Sequence, residues 1–231
     1  MYVAKQHSMS ESAALEIARS IGVGQLISVG EHGLNATFVP FNIVSRADGV
    51  VVQAHLNRVN TQWKDDGDAL LIVQGPSAHV AGTDLPAERK GQKLPTVPTL
   101  NYVTVHFHGR LSYHDDDAWK RAHLEALVEE FEDEWRVGTH SSYKLAEAAF
   151  VALVGVELEV ARIEGKAKLG QNMSPADIAH TAQHLRQRGS SGEVAALMEE
   201  IAVPWAQARE ERVTNAKHGH RSLPIDGGLA T

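Results

Sequence analysis

The sequence predicts an α+β fold built around an antiparallel sheet or barrel. Three observations carry this. Short strand-like runs follow one another from Val23 to Leu111, joined by turn residues. Helical periodicities gather at the N-terminus, in one acidic insertion and at the C-terminus. No G-x-G-x-x-G turn joins a strand to a helix, so a doubly wound dinucleotide-binding sheet is not supported.

The elements follow in order. Ser10 is placed to cap a helix over Glu11 to Ile21, with Ala14, Leu15, Ala18 and Ile21 on one stripe. "VGQLISVGEHGLNATFVPFNIV" reads as two strands joined by a turn at Glu31-His32-Gly33. "GVVVQAHL" is a third strand after the Ala47-Asp48-Gly49 turn, and "NRVNTQWKDD" a polar connection or short helix. "DALLIVQGP" is a fourth strand, apolar enough to be central. "AHVAGTDLPAERKGQKLPTVP" reads as a long loop, and loops beyond ~12–15 residues usually serve a function.

"VPTLNYVTVHFHGRL" is a fifth strand. Val103, Val105 and Phe107 form an ordinary apolar face, while Tyr102, Thr104, His106 and His108 form a polar row that needs a partner. An acidic helix follows at 115–135, its apolar face Trp119, Leu124, Leu127, Val128 and Phe131. "VALVGVELEVARIEGKAKLG" reads as strands, with Val156, Leu158, Val160 and Arg162 alternating with Glu157, Glu159 and Ala161. Ser174 caps a helix with Pro175 at its first position, and Pro204 should interrupt or kink the last helical segment. Periodicity ends at Thr214, so the expected division is one domain over 1–213 and a flexible tail over 214–231.

The chain has 231 residues, enough for one or two domains with a real core. A net charge of −7 argues against a surface that coats nucleic acid. The absence of cysteine excludes disulfides, thiolate nucleophiles and Cys-based metal sites. No apolar run approaches a membrane span, and the N-terminus has no signal-peptide core, so a cytoplasmic protein is expected. Thirteen histidines draw attention, because imidazole ligates metals and titrates near neutrality.

Five segments taken together resemble the PaiB-type FMN-binding family. They are "MYV.K" at the start, "HLNRVNTQW" at 55–63, "QGPSAHV" at 74–80, the fifth strand, and "RIEGKAKLGQN" at 162–172. The resemblance runs from Met1 to about Val213. It implies a split β-barrel, related to pyridoxine-phosphate oxidase, that forms a homodimer with its cofactor at the dimer interface. Members are described as flavin-binding proteins and negative transcriptional regulators, although this chain has no evident helix-turn-helix.

The chain departs from the pattern of flavin-binding members. His79 stands where that pattern has Tyr, "GTDL" (82–85) replaces a Trp-Tyr stretch, and Leu100 replaces the Trp of P-T-W-N-Y. Ala167 stands where an aromatic is common, and Gly170 replaces the Ser of K-L-S-Q-N. Aromatic rings are the natural clamp for an isoalloxazine. Their loss resembles the branch that binds haem b, the piperazate synthases, which convert N5-hydroxy-L-ornithine to L-piperazate. The resemblance implies haem b, with FMN as the alternative cofactor. Haem needs an axial ligand, for which His55 is the first candidate and His79 the second. Arg58, Asn60, Gln62, Lys168 and Gln171 are expected at the cofactor, with His106, His108 and Lys93 as proton-transfer candidates. The expected partners are a hydroxylated amino acid and a second copy of the chain.

Overall fold

A computed structural model describes residues 1–89, 91–94, 96–129, 149–189 and 191–221. Six long strands close into a barrel in the order Val23–Gly30, Gly33–Arg46, Gly49–Asn57, Leu153–Lys168, Thr99–His114 and Gly67–Val80. The elements are α1 (Glu11–Ile21), β1 (Val23–Gly30), β2 (Gly33–Arg46), β3 (Gly49–Asn57), β4 (Gly67–Val80), β5 (Glu88–Arg89), β6 (Gln92–Lys93), β7 (Thr99–His114), α2 (Asp117–Glu129), β8 (Leu153–Lys168), α3 (Pro175–Gln187), α4 (Gly192–Leu197) and α5 (Val203–Arg221). The pairs β1–β2, β1–β4, β2–β3 and β3–β8 are antiparallel.

The chain divides into two compact units. The first comprises Met1–Val3, Ser8–Gly75 and Thr104–Lys166; the second comprises Ala4–His7, Pro76–Val103 and Ala167–Thr231. In the first, period-two alternation turns Leu26, Val39, Phe41, Val52, Ala54, Leu71, Val105, Phe107, Leu111, Val156 and Leu158 into one core. Helix α1 adds Ala14 and Ala18 to it, both fully buried. Ser10 caps α1 as expected, its Oγ accepting from the Ala13 amide at 3.3 Å. The space left at the barrel's centre is about 10 Å³, so the barrel is a packed core and cannot hold a cofactor inside.

In the second unit, α3, α4, α5 and the segment Met198–Ala202 between the last two bury Ile178, Ala182, Leu185, Val194, Ala195, Met198, Ala202 and Ala206. Ser174 caps α3 through the Asp177 amide, with Pro175 in the first turn. The expected break at Pro204 takes the form of a π-helical segment, Met198–Ala202, just before it. The wider turn accommodates a ring that would otherwise strike the carbonyl four residues back.

Several expectations change. The stretch 153–168 is one strand of 16 residues rather than several. β4 runs on to Val80, so His79 lies at a strand end and not in a loop. The expected loop carries a 3-10 turn at Gly82–Asp84 and the β5–β6 hairpin. Helix α5 continues to Arg221, past Thr214, because the sequence from Thr214 to His220 holds no proline and its one glycine, Gly219, costs a helix only about 1 kcal/mol. The rest of the expected tail, residues 222–231, lies outside the described residues, as do Phe131 and the rest of the acidic run to 135.

Candidate functional site

His55 comes from β3, where it pairs with Gly155 of β8. Helix α2 packs over this point and brings Trp119 and His123. The missing side chain of Gly155 makes room: a Cβ there would stand 2.1 Å from the Trp119 ring. The rings form a ladder. His114 stacks on Trp119 at 4.5 Å, Trp119 on His123 at 5.3 Å, and His123 meets His55 edge-on at 5.3 Å.

Polar contacts continue the ladder. His55 Nδ1 lies 3.0 Å from His123 Nε2, and His123 Nδ1 lies 2.7 Å from Asn42 Oδ1. Asn42 Nδ2 donates to Gln53 Oε1 at 3.4 Å, and Gln53 Nε2 donates to Glu157 Oε2 at 2.9 Å. Arg46 forks onto both Glu157 oxygens at 2.8 and 2.7 Å. Burial lowers the His55 pKa; burial first, then the neighbouring His55, pushes His123 down to about 3. Burial would raise Glu157, but its bonds to Arg46 and Gln53 win and hold it below the ordinary carboxylate value. The cluster therefore offers neutral imidazoles backed by an ionised carboxylate.

The polar row of β7 makes a second group. His106, His108 and Glu164 present ligand atoms within 4.8 Å of one another. Glu164 accepts from His108 Nε2 at 3.0 Å and from the N-terminal ammonium at 2.7 Å, and also pairs with Arg162. The bond from the N-terminal ammonium and then that from His108 depress the Glu164 carboxyl to about 2. Burial and the N-terminal ammonium lower His106. Two fixed cations against one carboxylate oppose a metal ion here. The group suits proton handling instead.

The other expected residues divide. Arg58 forks onto Asp115 at 2.8 and 2.5 Å, and also donates to the Val151 and Leu153 carbonyls. Asn60 caps the 3-10 turn Thr61–Lys64. Gln62 is 1% exposed, accepts from Thr37 and donates to the Leu26 carbonyl and Ser28. Both ends of the Gln62 amide are therefore committed to β1 and β2.

Gln171 is likewise a correction. It is 2% exposed, and its amide is used by His7, the Leu169 amide and the Ala167 carbonyl. His79 is exposed, its carbonyl accepting from Arg188, and Lys93 is exposed on β6. Both belong to the second unit, whereas His55, His106 and His108 belong to the first.

Lys168 fares better. The second unit holds a pocket of about 490 Å³, walled by Val80, Leu85, Leu94, Pro98 and Met173, with Lys168 and Asn101 on its lining. Lys168 Nζ donates to Thr99 Oγ1 at 2.5 Å and to the Leu100 carbonyl at 2.9 Å. Asn101 is 2% exposed; its Nδ2 donates to Met198 Sδ at 3.4 Å, and its Oδ1 has no donor among the described residues.

The sequence reading missed His123, Asn42 and Asn101. For His123 a signal existed: Trp119, His123 and Leu127 recur every four residues, which puts an imidazole on the apolar stripe.

Comparison with known proteins adds the lineage. Residues 1–162 match the family model described as "Putative FMN-binding domain". The protease synthase and sporulation protein PAI 2 of Bacillus subtilis is 24% identical over 209 residues, which cover 87% of this chain and 97% of that protein. Among solved structures, the FAD and Heme binding protein from Mycobacterium smegmatis aligns with a TM-score of 0.52 at 17% identity, over 72% of this chain and 75% of its own. A conserved hypothetical protein from Mycobacterium tuberculosis aligns at 0.54 and 12% identity, over 75% and 94%. The structural likenesses show the shared fold, a split barrel.

Proposed function

The chain belongs to the FMN-binding domain family, whose model spans residues 1–162, and on that premise we propose that it is a haem-dependent enzyme converting N5-hydroxy-L-ornithine to L-piperazate. The observation that carries the haem reading is His55. It is a half-buried imidazole kept neutral by burial and tethered at Nδ1 by His123, while its Nε2 makes no hydrogen bond among the described residues. A neutral imidazole oriented through its second nitrogen is what an axial site requires. His79, the second candidate, is exposed and has no such tether.

Haem would supply a Lewis-acidic iron that makes the hydroxylamine nitrogen electrophilic. The conversion breaks one N–O bond, forms one N–N bond and releases water, so it consumes no external electrons. The chain's own residues handle the protons. Nine residues of β8 separate Glu164, which holds His108, from Gly155, the partner of His55. His108 and the neutral His106 would therefore serve a haem on His55 only from the second copy of the chain, His108 giving a proton to the departing hydroxyl and His106 taking one from the attacking amine. Lys93 is exposed on its hairpin and is the weaker candidate for either role. Arg58 is paired with Asp115 at the surface, so it would reach a ligand only by giving up that partner. The functional form proposed is a homodimer, which sedimentation would test.

A second reading has its own observation. The Asn101 Oδ1 acceptor and the Lys168 ammonium share one pocket, and they match the ring N–H and the phosphate of FMN. Haem has propionates for the lysine but no comparable N–H donor for the asparagine. The test begins with the absorption spectrum of the purified protein. The haem reading expects a Soret band that His55→Ala displaces. It also expects a cyclic hydrazine, detected by mass spectrometry, on incubation with N5-hydroxyornithine in the ferric or ferrous state. Flavin bands without a Soret band, abolished by Asn101→Leu, would replace it with the FMN reading.

A further inference from the structure

We infer that His123 and Asn42 are positioning residues that hold His55 as its Nδ1–H tautomer, with the lone pair on Nε2. The inference rests on the reading of His55 as a ligand and deepens it. Its basis is the direction of a hydrogen-bonded chain that ends on an ion.

Glu157 is forked by Arg46, so it is a carboxylate and can only accept. Gln53 lies 2.9 Å away and must turn its amide nitrogen toward Glu157. A flipped Gln53 would set its carbonyl against the carboxylate. With the nitrogen so placed, Gln53 Oε1 faces Asn42, which must donate through Nδ2. Asn42 Oδ1 is thereby turned toward His123 Nδ1 at 2.7 Å and can only accept, so His123 carries its proton on Nδ1. His123 is 2% exposed, its ring nitrogens face only His55 and Asn42, and among the described residues it bonds to no carboxylate, so it stays neutral and has one proton to give. Its Nε2 is left as an acceptor. His55 Nδ1, 3.0 Å away, must supply the hydrogen, and His55 Nε2 keeps its lone pair.

Each step follows from the one before because each buried amide or imidazole would otherwise set acceptor against acceptor or donor against donor. The result is a relay in which a carboxylate of β8 sets the protonation pattern of an imidazole on β3 without touching it. Histidines that bind metals usually have their second nitrogen fixed in this way. Here the fixing group is a second histidine, and the polarity is set two amides further back.

The experiment is a multiple-bond proton–nitrogen correlation spectrum of the full chain, labelled with 15N-histidine and prepared without haem. The wild type is expected to show His55 with Nδ1 protonated and Nε2 bare, in at least about tenfold excess over the other tautomer. His123→Phe removes the acceptor and should reverse or mix the tautomers, while His123→Gln, which can present a carbonyl, should restore the pattern. Asn42→Leu, which does not touch His55, should disturb it through His123. A wild-type His55 protonated on Nε2, or unaffected by both His123→Phe and Asn42→Leu, would overturn the inference. The wild-type spectrum decides even if a variant fails to fold. Nδ1–H in the wild type without haem uptake would refute the haem reading and leave the relay standing; haem uptake with Nε2–H would do the reverse.

Discussion

Gly155 faces His55 across the β3–β8 pair, and its hydrogen is all that separates the strand from the Trp119 ring. A methyl there would stand 2.1 Å and 2.5 Å from two ring carbons, well inside contact distance. The ring has no slack to give, since His114 stacks on it in near-parallel fashion at 4.5 Å and His123 follows at 5.3 Å. Gly155→Ala should therefore cost about 1–3 kcal/mol, the usual range for overpacking. It should also shift the tryptophan emission as Trp119 moves. Urea unfolding and fluorescence would check both, and an unchanged spectrum with unchanged stability would show that α2 packs more loosely than the contacts indicate.

Among the elements, the 3-10 turn after β3 fixes its neighbours through one side chain. Gln62 accepts from Thr37 and donates to Ser28 and to the Leu26 carbonyl, tying β1 and β2 to the turn. Gln62→Leu fits the volume but removes all three bonds, and although Ser28 keeps Asp65 and Thr37 keeps Asn60, a loss of about 1–3 kcal/mol is expected in equilibrium unfolding. That role was hidden in the sequence, where "NRVNTQW" looks like a ligand-binding turn, because hydrogen-bond partners more than twenty residues away leave no local signal. Local chemistry was readable. Ser10 and Ser174 marked α1 and α3, the turn at Glu31-His32-Gly33 marked the first hairpin, and Pro204 marked the break before α5. Barrel closure was not readable, since it depends on β1 pairing with β4 across the chain. The site divides in the same way. His55 stood out through a resemblance, but the residue that orients it comes from a helix 68 positions later.

The whole molecule should weaken in mild acid, before its carboxylates protonate. His123 is buried and neutral, with its pKa pushed down to about 3, and burial also lowers His55 and His106. In the unfolded chain each would take up a proton near the ordinary value of about 6.5. Because the folded pKa lies below the unfolded one, the unfolded state binds more protons between the two values. Stability is thus full above about pH 6.5 and falls as the pH drops toward the folded value, by at most about 1.4 kcal/mol per pH unit for the buried His123 and by less for the more exposed His106. Glu164 and Asp115, both held near 2 by their cationic partners, add a second loss at lower pH. Their contribution is present above the ordinary carboxylate range and disappears as the pH falls through it toward 2. Two successive windows follow, the first set by histidines and the second by carboxylates. Urea midpoints of the haem-free protein should stay level from about pH 7.5 to 6.5 and decline from there to about pH 4.5. His123→Phe should remove about one proton's worth of the slope and leave the acid limb in place, because Glu164 and Asp115 keep their partners. A flat profile down to about pH 4.5 would show that the imidazoles under α2 reach water in the folded state.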